Sequence, residues 1–128
     1  MTKTSITVEH DYFTDKDVVR SEIDDASLHR SEFDAPPSGG TPIHWHAVGM
    51  YIYITDGMFR FQDPATDELH ECIPGTKFVI PERALHIEEE HNGYSAIIGF
   101  TKKEVPQPFV RAPSELEELL RKENLETA

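Results

Sequence analysis

His44 and His46 flank Trp45 just after the Gly39-Gly40 pair, and a third histidine, His86, ends a segment punctuated by Pro74 and Pro81. Alternate residues of a β-strand point to one face, so histidines at i, i+2 project together. A third imidazole from a neighbouring strand completes a facial set of three neutral nitrogens for a divalent metal, leaving positions open for water or substrate. The chemistry to expect is that of a transition-metal centre.

Short strands must position such a set. Met50–Thr55, Met58–Gln62, Leu69–Ile73, Lys77–Ile80, His86–Glu90 and Tyr94–Phe100 are mostly rich in β-branched or aromatic residues. Asp56-Gly57 and Asn92-Gly93 predict tight hairpins, Asp63-Pro64 to Asp67 a longer loop, and Pro74-Gly75 a turn. Evenly spaced strands of this kind point to an all-β antiparallel sandwich or barrel. Ser5–Glu9, Val18–Ile23 and Leu28–Phe33 are further strand candidates, and Ala35 to Gly40 form a loop into the histidine strand. At the C-terminus Ser114 and Glu117 form a capping box, with Leu116, Leu119 and Leu120 on one face of a short helix over about 114–125, outside the sheets.

With these residues in view, the chain resembles the cupins, small jelly-roll (double-stranded β-helix) barrels that commonly hold one metal. Their first motif reads G-x5-H-x-H-x3,4-E-x6-G: Gly39 stands one residue short of the opening spacing, while His44, His46 and Gly57 follow it. Their second reads G-x5-P-x-G-x2-H-x3-N. Gly75, Pro81 and His86 match in register, Arg83 replaces the second glycine and Glu90 the asparagine. The resemblance spans roughly 39–100 and implies a single cupin domain, with a barrel core at about 39–101 and His44, His46 and His86 as metal ligands. The family's fourth ligand, a glutamate, is replaced by Met50.

Three neutral imidazoles leave the +2 charge of a metal uncompensated, which favours an anionic substrate such as an enolate, carboxylate or thiolate. Three-histidine cupins include thiol dioxygenases and β-diketone-cleaving dioxygenases, and the H-x-H-A and ALH segments look most like the latter. The resemblance therefore implies iron(II) first, with zinc, manganese or nickel as other occupants. Zinc would suit an isomerase, cyclase or hydrolase. A non-catalytic small-molecule-binding or sensory barrel is the alternative class, since fold alone decides no function.

Met50, Ile52 and Ile54 share one strand face, expected inside, and Tyr51 and Tyr53 share the other. Phe59, Phe61, Phe78, Ile80, Ile98 and Phe100 read as core. Candidates to line a pocket are Met50, Ile52, Phe59, Phe61, Arg60 and His70, with Arg60 and Arg83 as possible receptors for a substrate carboxylate. One of Glu88, Glu89 and Glu90 is a candidate inward-facing partner to the site, whereas His10, His29 and His91 read as surface residues. Trp45 should face away from the metal.

The chain's 128 residues suffice for one core. A net charge of −12, from 12 basic and 24 acidic residues, argues against nucleic acid and against an anionic membrane as partners. A lone cysteine, Cys72, and an N-terminus without a basic and apolar leader point to a reducing, cytoplasmic setting. Exposed sheet edges suggest a homodimer, with Val18-Val19 or Trp45 as its apolar patch.

Overall fold

Apolar alternation along the central strands becomes two antiparallel sheets enclosing one core. The computed structural model describes residues 5–127. In chain order the elements are β1 (Thr7–Glu9), α1 (Lys16–Asp25), β2 (His29–Ala35), β3 (Thr41–His44), β4 (Met50–Gly57), β5 (Phe59–Asp63), β6 (Glu68–Cys72), β7 (Lys77–Ile80), β8 (His86–Glu88), β9 (Tyr94–Phe100) and α2 (Pro113–Thr127). One sheet runs β1-β7-β4-β9-β2 and the other β3-β8-β5-β6. Val48, Met50, Ile52, Ile54, Phe78 and Ile98 meet Phe59, Phe61 and Cys72 from the opposite sheet in a single buried cluster. Phe78 stacks on both Phe59 and Phe61, with ring centroids 5.4 and 5.3 Å apart.

Val18–Ile23, expected as a strand, is helical. Asp15 caps α1 by accepting the Asp17 N–H at 2.8 Å, and Val19 and Ile23, at i, i+4, bury themselves against Tyr53 and Ile97. The β-branched residues suggested extension, but the cap and the four-residue spacing decide for helix. Tyr51 and Tyr53 accordingly face α1 from the outer side of β4. Glu22 of α1 accepts from the Tyr12 and Tyr53 hydroxyls and from Lys77 Nζ at 3.1 Å, so the polar edge of this contact is satisfied.

Neither Asx-Gly pair makes a hairpin. β4 and β5 lie in different sheets, as do β8 and β9, and Gly57 (φ 71°) and Gly93 (φ 102°) turn the chain from one sheet to the other. The residue signal is the same because a left-handed φ serves a sheet-changing corner as well as a hairpin. Asp63 to Glu68 is the true hairpin, joining β5 to β6. The C-terminal helix begins one residue earlier than expected, with Pro113 in its first turn. Ser114 is thus already helical and no capping box forms there. The helix α2 extends to Thr127 and carries no basic residue in its last turn.

Replacing Phe78 by Ala removes the ring shared by both sheets and is expected to cost about 3–5 kcal/mol. Leu125→Ala, at a side chain 71% exposed, should change stability by less than about 0.5 kcal/mol. Urea denaturation of the two variants checks the contrast.

Candidate metal centre

Gly40 lets the histidine strand approach its neighbour. Its φ is 99°, and a Cβ there would lie 2.5 Å from the Glu88 carbonyl oxygen. Immediately after, β3 pairs with β8 through Thr41↔Glu88 and His44↔His86, a register shift that places one extra residue on β3. This bulge resets the alternation, so Thr41 and His44 both face the interior with their partners. Beyond it, His46, Val48 and Met50 keep the same inward parity as His44.

His44, His46 and His86 converge here, with one ligand atom from each lying within 4.8 Å of the others. Their ring centroids are 4.9, 4.2 and 4.9 Å apart, and each residue is at most 4% exposed. Each Nδ1–H donates to a backbone carbonyl: His44 to Pro42 at 2.7 Å, His46 to Phe109 at 2.7 Å and His86 to Ala84 at 3.0 Å. That pattern sets one tautomer three times, leaving every Nε2 as a bare lone pair. Nitrogens about 2.1 Å from one ion stand at most about 4.2 Å apart, so small ring rotations close this group onto a cation. The donor set fits a divalent transition metal.

Burial reinforces the choice. Desolvation, aided by the nearby His44 charge, pushes His86 down to about 3. Desolvation also pushes His46 down to about 4, against the opposing pull of its hydrogen bond to Phe109. Both rings are therefore neutral, as ligands must be, at ordinary pH.

Segment 105–112 crosses over this site. Trp45 and Arg111 exchange backbone hydrogen bonds of 3.1 and 3.0 Å, and the Trp45 indole N–H donates to the Ala112 carbonyl at 2.7 Å. The Phe109 ring stacks on His46 at 4.0 Å between centroids. No spacing rule pointed to Phe109, because its contact with His46 spans 63 residues. Trp45 does face away from the histidines, but it is 1% exposed beneath Arg111 and offers no patch for a second copy. Val19 is also buried, leaving only Val18 of that pair at the surface.

The other candidates fall into distinct places. Met50, Ile52, Phe59 and Phe61 belong to the buried core, with Met50 paired to Ile80 and Phe100. No carboxylate replaces the missing glutamate from position 49 either: a Cβ on Gly49 would lie 2.9 Å from Thr101 Cγ2. His70 shares the inner face with its strand partner Phe61, 5.0 Å between rings, but does not join the histidine group. Arg60 lies on the outer face and pairs with Glu71 at 3.5 Å, so it is no receptor for a ligand between the sheets. Arg83 instead binds Glu123 of α2, while its backbone N–H donates to His46 O at 3.0 Å. Its φ of 74° lies in the left-handed region that glycine adopts most readily.

Of the three glutamates, Glu88 faces inward, as its pairing with Phe61 and Thr41 requires. His91, expected at the surface, is 6% exposed. Its Nδ1 accepts the Gly93 N–H at 3.0 Å, which leaves Nε2–H to donate to Glu88 Oε1 at 3.1 Å. Thr41 adds a longer contact of 3.4 Å to the other carboxylate oxygen. His10 and His29 are exposed as expected. Among the described residues no helix is long and apolar enough to cross a membrane.

No family model matches the chain, and no curated protein matches it. Among solved structures, that of the polyketide cyclase RemF from Streptomyces resistomycificus is similar, with a TM-score of 0.50 and 26% identity. The match covers 66% of this chain and 58% of that one, so this chain matches little more than half of the cyclase's length.

Because His46 and His86 titrate well below the 6.5 of a free imidazole, the unfolded chain takes up protons first as pH falls. Stability of the metal-free protein is then full above pH 6.5 and declines as pH falls below it, until the folded values near 4 and 3 are passed. Urea midpoints between pH 7 and 5 should fall for the metal-free protein, and the slope should flatten in His46→Gln. The two antiparallel sheets and the buried three-histidine group fit a metal-binding cupin.

Proposed function

We propose that this protein is a metal-dependent cupin enzyme acting on a small, anionic or enolisable molecule through His44, His46 and His86. The observation that carries the reading is the set of three Nδ1–carbonyl hydrogen bonds, which presents three bare Nε2 atoms and no carboxylate. When bound there, a divalent ion supplies Lewis acidity to an enolisable carbonyl and retains its full charge for the resulting anion. The chain's own part is to hold the three rings in one tautomer and to cover His46 with the Phe109 ring against bulk water.

Ring closure, the activity named for the similar cyclase, needs only this polarisation and suits zinc. Oxidative cleavage with iron(II) is the second reading, since imidazole nitrogens suit iron as well as zinc. Purified protein should contain zinc or iron. Removing the metal and restoring it at a hundredfold excess over Kd should raise stability by about 2.7 kcal/mol. His86→Ala should weaken metal affinity on the order of 100-fold or more. Oxygen uptake by the iron(II)-loaded protein with β-diketones supports the dioxygenase, whereas oxygen-independent turnover of polyketide-like β-dicarbonyls by the zinc form supports the cyclase. Metal binding unaffected by His86→Ala removes the site assigned here.

A further inference from the structure

A cleft of about 970 Å3 opens between the β5–β6 hairpin, the loop before β8 and helix α2. Its walls are apolar where Ala65, Leu85, Leu116 and Leu120 meet; the charged lining is Arg83 facing Glu123, with Asp63 and with Glu82, which pairs with Lys102 at 3.0 Å. It flanks the histidine group at three points. Leu85 precedes His86, and the Arg83 backbone is bonded to His46 O. Asp63 follows Phe61 and Gln62, whose partners are Glu88 and Ile87, so the antiparallel register carries it to a place opposite His86. Asp63 is 6% exposed and lines the cleft.

Arg83 holds Glu123 through two parallel bonds, at 2.9 and 2.6 Å, in the fork geometry an arginine offers any carboxylate. Their side chains remain 29% and 44% exposed. An ion pair this open to solvent is weakly held, so a carboxylate from a ligand can take the same two bonds while Glu123 turns to water. The volume and the leucine lining suit a small flat ring system. We propose that this cleft binds an aromatic carboxylate, with Arg83 exchanging Glu123 for the ligand. As the approach for substrate to the metal it rests on the function proposed above; as an anion-binding cleft it does not.

The test titrates 2-naphthoate, and the neutral 2-naphthalenemethanol, into the full chain in metal-free and zinc-loaded forms. Calorimetry gives affinity, and backbone amide shifts give location. The acid should bind both forms more tightly than the alcohol, with shifts in 63–65, 83–85 and 116–124. Glu123→Gln removes the internal competitor and should tighten the acid on the order of tenfold. Arg83→Gly keeps a residue suited to the φ of 74° and should abolish the preference for the acid. Leu120→Trp, at a side chain 45% exposed, should block both ligands while the fold persists.

Equal affinity for acid and alcohol, or affinities unmoved by both the Glu123 and Arg83 variants, overturns the assignment. Binding seen only with zinc and lost in His86→Ala also overturns it, because the anion then sits on the metal. Arg83-dependent binding in a protein that takes up no metal leaves the cleft standing and rejects only the metal reading.

Discussion

The hydrogen bond from each histidine Nδ1 to a backbone carbonyl is the constraint on which the centre depends. An imidazole free to rotate offers either nitrogen; one tied at Nδ1 offers only Nε2, in one direction. Two of the carbonyls are local, since Pro42 and Ala84 each stand two residues before the histidine they hold. The third belongs to Phe109, far along the chain, and segment 105–112 must be in place before His46 is oriented. Much of the surrounding architecture serves these three bonds: the Gly40 approach, the β3 bulge, the Arg83 N–H to His46 O, and the paired Trp45–Arg111 backbone.

Away from the histidines the interior is almost wholly apolar, so an unpaired polar group in it would be costly. Asp63 and Thr76 are buried polar residues there, and Glu88 faces inward with surroundings that account for it. His91 donates to one carboxylate oxygen, Thr41 contacts the other, and the Gly93 N–H fixes the His91 tautomer. This cluster joins β8 to the corner that leads into β9, where the chain leaves one sheet for the other. The same economy holds on the outer face, where Glu22 gathers two tyrosines and Lys77 at the edge of the α1 contact.

Much of this was legible where the physical rule acts over a few residues. Period-two alternation placed Met50, Ile52 and Ile54 inside and the two tyrosines outside. Histidines at i, i+2 did share a face. The rule failed where one residue type serves two geometries: Asx-Gly turned corners between sheets rather than hairpins, and Val18–Ile23 became a helix because Asp15 could cap it. Trp45 and His91 were misjudged for another reason. Their burial comes from Arg111, α2, Tyr94 and Glu88, partners that no local pattern names.

The sequence by itself determined the ligand types, their shared face and the absence of a fourth, acidic ligand at position 50, because these follow from residue identity and strand parity. Only the tertiary structure decided that all three rings meet in one buried place with one tautomer, that Arg60 is turned outward, and that Arg83 faces α2. Those outcomes depend on a bulge, a sheet change and a returning C-terminal segment, each set by contacts between residues distant in the chain.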